Sequence, residues 1–218
     1  MTEQEWLANP YVPDLLDAPV LSDAIRKKRL FACGCCRLIW DQLVGTRSRK
    51  AVRKLEEFAD AISSEKMRRD AYNIANAAFL EMQTPVIESN WTAACAVVCA
   101  ANRRESWPNN LFGNVWSALR VKFPNDAAAV SRAVTEVFRD IFWNPFRPVA
   151  FDPAWRTATA VARARQMYDS RDFGAMPILA DALQDAGCED EYILTHCRDT
   201  SVPHVRGCWV CDLVLDRL

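Results

Sequence analysis

The residues best suited to chemistry gather in the C-terminal stretch from Gly174 to Leu218, which holds four of the nine cysteines and both histidines. Cys188, His196, His204 and Cys208 are separated by 8, 8 and 4 positions. Thiolate and imidazole are zinc donors, and a structural zinc takes four of them in a tetrahedron. These four residues are therefore the candidate metal set. Cys197 and Cys211 are alternative donors, and Cys208 with Cys211 makes a C-x-x-C pair. The spacing is not that of a standard zinc finger, where a C-x-x-C pair precedes the histidines. The competing reading packs Cys188 and Cys208 as small core residues. Four protein ligands leave no position open for water, so zinc held this way is expected to be structural and not hydrolytic.

Nucleophilic catalysis by a cysteine needs a base beside it. His196 and His204 are the two histidines that can serve, but no local signature of a cysteine hydrolase accompanies them. The chain also lacks a P-loop, G-x-G-x-x-G, H-E-x-x-H and G-x-S-x-G. Enzymatic activity is not the expected reading.

Two further thiol groups read as core. In the CGCC run, Cys33 and Cys35 point about 200° apart if the segment is helical, so they cannot share an ion. Cys95 and Cys99 lie one turn apart in the apolar stretch AACAVVCAA and read as buried thiols. The carboxylates Glu56-Glu57 and Glu189-Asp190-Glu191 read as solvated helix faces.

Half of the chain is apolar and a quarter is charged, as in ordinary globular proteins. The formal net charge of -1 argues against indiscriminate coating of nucleic acid. It hides an asymmetry, because residues 21–54 carry ten Lys/Arg against Asp23 and Asp41. Arg26, Lys27, Lys28, Arg29, Arg47, Arg49, Lys50, Arg53 and Lys54 form a candidate nucleic-acid face. No aromatic or amide side chain for base stacking or reading lies among the charges of residues 45–57. Pairing of this face with acidic groups of the same fold is the plainer alternative. No run approaches the ~20 apolar residues of a membrane span. The acidic, polar start MTEQEWLANP is unlike a secretory signal. Nine cysteines without such a signal suit a reducing, cytoplasmic compartment and free thiols.

The elements that must position these residues are helical. Thr2 with Glu5 three positions on is a capping box, so a short helix opens the chain. Pro10, Pro13 and Pro19 then mark a loop. Helices are predicted from Ser22 to about Val44, from Ser48 to Ile62, and from Ser63 or Ser64 to about Gln83. Further helices are predicted at 90–102, 111–123, 155–168, 176–186, 189–197 and 205–215. Val130, Val134, Val137, Phe138, Ile141 and Phe142 form the clearest apolar stripe of the chain. Strand patterns are nearly absent. The expectation is an all-α fold of about nine or ten helices in one domain, 1–218, with a weak sub-boundary at 144–153.

The stretches EWLANP, RLFACGCCRLIW, NPFRPVAFDPAW and ILADALQDAGC…ILTHCR…PHVRGCWVCDLVL resemble a large family of planctomycete bacterial paralogues without an assigned activity. Such proteins open with EWL, carry a CxCCR helix and end in a segment like HVRGCWxxDLLL. The resemblance covers most of the chain. It implies that Cys188, His196, His204 and Cys208 belong to the family pattern, with Cys197 and Cys211 less typical. Many paralogues in one genome suit an interaction or defence-linked module better than a housekeeping enzyme. The combined expectation is a non-enzymatic helical protein-interaction module with a structural zinc near its C-terminus.

Overall fold

The computed structural model describes residues 1–43, 45–60, 65–81, 88–101 and 107–217. Among them are twelve α-helices and no strand. No helix among them is long and apolar enough to cross a membrane. The chain divides into two compact units, Met1–Thr135 and Glu136–Leu218.

The first unit opens with α1 (Glu3–Ala8) and α2 (Val12–Leu16). Thr2 caps α1 in the expected box, its side chain accepting from Glu5 N while the Glu5 carboxylate accepts from Thr2 N. Helix α2 lies where prolines had suggested only a loop. Pro13 falls in its first turn, where a missing N–H costs nothing. Helix α3 (Ile25–Leu38) follows a 3-10 turn at Pro19–Leu21, so Ser22 closes that turn and does not cap α3. A second 3-10 turn, Trp40–Gln42, follows α3, and Gly45 takes a left-handed φ of 95° that favours glycine. Helix α3 thus ends at Leu38, short of the expected end at Val44, and Val44, Ile62, Gln83, Asn102 and the Ser63 or Ser64 cap lie outside the described residues.

Helices α4 (Thr46–Asp60), α5 (Glu65–Glu81), α6 (Glu88–Ala100) and α7 (Trp107–Lys122) complete the first unit, with the start of α8 (Ala127–Phe142). Helix α3 packs against α4, α6 and α7. Its residues Leu30 to Cys36 are buried without interruption. A helix buried all round must be apolar all round, and small thiols fit that need. Cys33, Cys35 and Cys36 are therefore core residues, with burial pushing each thiol upward.

Glu56 corrects an expectation. It was read as solvated, yet it is 2% exposed and takes a two-pronged ion pair from Arg37, with Nε to Oε1 at 2.8 Å and Nη2 to Oε2 at 3.0 Å. The same guanidinium stacks 4.0 Å from the centre of the Trp40 ring.

The second unit contains the end of α8, then α9 (Ala158–Ser170), α10 (Met176–Asp185), α11 (Glu191–Arg198) and α12 (Trp209–Leu215). Helix α9 packs on α10 and α12, and α11 on α10 and α12. Their buried faces supply one core that includes Tyr168, Leu179, Leu183, Ile193, Trp209 and Val210.

Removing Arg37 leaves the buried Glu56 carboxylate without its fork. Arg37→Ala is expected to lower the unfolding free energy by about 3 kcal/mol in urea titration. Arg37→Lys should fall between, since it keeps the charge and loses the planar geometry. A loss below about 0.5 kcal/mol for Arg37→Ala would show that the pair contributes little.

Candidate metal centre

Four donors converge in the second unit. Asp140 comes from the last turn of α8 and His196 from α11. His204 comes from the connection after α11, and Cys208 is the residue before α12. One ligand atom from each lies within 4.8 Å of every other.

Local structure accounts for this convergence. The Asp190 side chain caps α11 by accepting from Tyr192 N and Ile193 N, which sets the rotation that turns His196 inward. After α11, the Asp199 carboxylate accepts from Ser201 N and starts the turn. Val205 N then donates to Asp140 Oδ2 at 2.8 Å, which pins the connection to α8. Gly207 takes a φ of 96°, and Cys208 N donates to Val205 O, so the chain folds back at Cys208.

The distances are those of hydrogen bonds and ion pairs, and a coordination shell would need edges close to them. Asp140 Oδ1 lies 2.8 Å from His204 Nδ1 and 3.2 Å from His196 Nε2. Cys208 Sγ lies 3.3 Å from His196 Nε2 and 4.0 Å from His204 Nδ1. Zinc bond lengths of about 2.0–2.1 Å to N or O and 2.3 Å to S imply tetrahedral edges of about 3.3 Å between N or O ligands and about 3.6 Å between N and S. The observed contacts straddle those values.

The site is closed. The side chains of Asp140, His196 and His204 are 1%, 11% and 5% exposed, and Cys208 is 0% exposed. Trp143 and Trp209 stack with ring centres 4.4 Å apart, and Trp209 lies 5.0 Å from the His196 ring. These indoles wall one side of the group, and Trp143 and His196 also line a surface cleft with Tyr192 and Thr195.

The acids and the histidines of the group shift one another. Burial alone would raise the Asp140 carboxyl, but hydrogen bonds to both histidines hold it below its ordinary value. Burial alone would lower the histidines. Cys208 and Asp140 outweigh it, raising His196 to about 9 and His204 to about 10. Burial pushes the Cys208 thiol well above its usual range, with Cys211 and Asp140 adding to it. Cys208 and the Asp140 carboxylate together favour protons on the imidazoles. A divalent ion would take their place.

Each histidine directs a single ring nitrogen at both partners. His196 offers Nε2 to Cys208 and to Asp140, and His204 offers Nδ1 to the same two. The His204 Nε2 atom is buried without a hydrogen-bond partner. A nucleophile relay needs the opposite arrangement, with one nitrogen facing the thiol and the other held by the carboxylate. Here both histidines instead direct one nitrogen at the same carboxylate oxygen and thiol.

Three of the four expected ligands, His196, His204 and Cys208, are thus brought together. Cys188 does not join them, and it packs in the core of the second unit with Cys197 and Cys211. Asp140 was not anticipated. Its signal is position, because Val137, Asp140 and Ile141 share one face of α8, and a carboxylate on an apolar stripe demands a partner.

The basic face of the first unit is partly neutralised from within. Arg26 pairs with Asp60 at 2.7 Å, Arg47 pairs with Glu81, and Arg29 lies 4.5 Å over Phe58. Arg49 and Arg53 flank Trp40, while Lys50 is exposed and Lys27, Lys28 and Lys54 are half-buried. Comparison of the chain with family models, curated proteins and solved structures returns no match.

The closed geometry fixes the pattern of thiol reactivity. A disulfide reagent at neutral pH should reach at most about two thiols of the native protein, the half-exposed Cys95 and Cys99, with Cys208 reacting only after unfolding. Rapid native labelling of Cys208, read by peptide mass spectrometry, would restore the nucleophile reading.

Proposed function

We propose that the chain is a non-enzymatic helical protein-interaction module whose C-terminal unit is held by one structural zinc ion. The ligands are Asp140, His196, His204 and Cys208. The observation that carries this is the convergence of four buried donor atoms within 4.8 Å.

The donor set also balances charge. One carboxylate and one thiolate offset the two positive charges of zinc, and the imidazoles bind neutral, so a buried site carries no net charge. Four protein ligands fill the tetrahedron and leave no position for a reacting water. The zinc would tie α8, α11, α12 and the connection between α11 and α12, elements that share no backbone ladder. The protein-binding part of the proposal rests on the resemblance to the planctomycete paralogues.

The test is metal content by plasma mass spectrometry on protein purified without an affinity metal. About one zinc per chain is expected, lost in Cys208→Ser and in Asp140→Ala and retained in Cys188→Ser. Chelation should lower the melting temperature of the wild-type protein by about 10 °C or more, since each kcal/mol shifts a small unit by about 4–8 °C. Wild-type protein that takes up no zinc on reconstitution would overturn the proposal.

A further inference from the structure

Three guanidinium groups surround one indole in the first unit. Arg37, Arg49 and Arg53 lie 4.0, 5.5 and 5.8 Å from the centre of the Trp40 ring. Arg49 Nη2 donates to Trp40 O at 3.3 Å, and Arg49 Nε is buried without a hydrogen-bond partner. Glu56 neutralises Arg37. Arg49 and Arg53 stand one turn apart on α4, and Lys50 and Lys54 form a second such pair beside them. Like charges four apart on a helix repel, and Glu57, one turn after Arg53, offsets only part of that repulsion on α4. An external anion would relieve that repulsion.

We propose that Arg49, Lys50, Arg53 and Lys54 bind the phosphodiester backbone of a nucleic acid, with Trp40 holding the guanidinium groups in place. The two cation pairs repeat at about 6 Å along the helix axis. A polymer with regularly spaced anions matches that ladder better than the irregular carboxylates of a protein face. Guanidinium forks also match phosphate oxygens in pairs. The Trp40 ring is already engaged by Arg37, so it adds no stacking on a base. Binding is therefore independent of sequence and driven by release of counterions. This inference is separate from the zinc centre and stands or falls without it.

Fluorescence anisotropy of labelled short DNA, single-stranded and duplex, with the full chain tests it. Affinity should fall linearly with salt on logarithmic axes between about 50 and 200 mM. Arg49→Gln with Arg53→Gln should weaken binding at least ~10-fold and reduce the salt slope by about 2. Arg163→Gln with Arg165→Gln, an equal charge loss on α9, should change neither. If the α4 double variant melts below wild type, Lys50→Gln with Lys54→Gln replaces it, with the same expected loss. No binding at about 50 mM salt, an equal loss from the α9 variant, or displacement of DNA by polyglutamate at matched charge would each overturn the proposal.

Discussion

A carboxylate taken out of water must be matched by positive charge or by hydrogen bonds, and much of the C-terminal unit is arranged around that demand at Asp140. One oxygen accepts from Val205 N, which holds the connection after α11 against α8. The other faces His204 and His196. Two histidines from different segments meet because both are drawn to the same oxygen. Cys208 adds a second latent negative charge 3.3 Å from His196. Protons on the imidazoles answer part of the demand, and a divalent ion would answer it with both acids ionised.

The N-terminal unit solves the same problem differently. Glu56 is as buried as Asp140, but its partner is a guanidinium that supplies charge and two donors in one plane. A fixed cation leaves nothing for a metal to do. The contrast shows why the chemistry of a buried acid is set by its neighbours. Arginine closes such a site, whereas histidine and cysteine leave it able to exchange a proton for an ion.

The helical architecture was legible because the chain states it repeatedly, in the Thr2–Glu5 box, in the stripe of α8 and in the scarcity of glycine. The α2 turn was missed because Pro13 was weighed as a breaker, while a first-turn proline is tolerated. Glu56 and Asp140 share a subtler signal. Val52, Leu55, Glu56 and Ala59 follow helical spacing, as do Val137, Asp140 and Ile141. In both, helical periodicity places an acid on the buried face. The C-terminal histidines and Cys208 were legible as donors because they are few and close in sequence. Asp140 lies 56 positions before His196, and only the packed chain shows that they meet. Cys188 and Cys208 could not be separated by sequence, since a thiol fills a core gap or binds an ion with equal ease.

The connection from Asp199 to Gly207 is where a metal would matter most. It lies between α11 and α12, its backbone follows no regular helix, and it must run close to the core. Ordering such a segment costs conformational entropy that few apolar contacts offset. Here His196 precedes the connection, His204 lies within it and Cys208 follows it, so one ion would clamp its start, middle and end. A unit of about 80 residues has a limited core and gains from such a staple. The asymmetry of the candidate ligands follows from this. Asp140 is the fixed point, supplied by a long helix, and the other three belong to the stretch that has to be held against it.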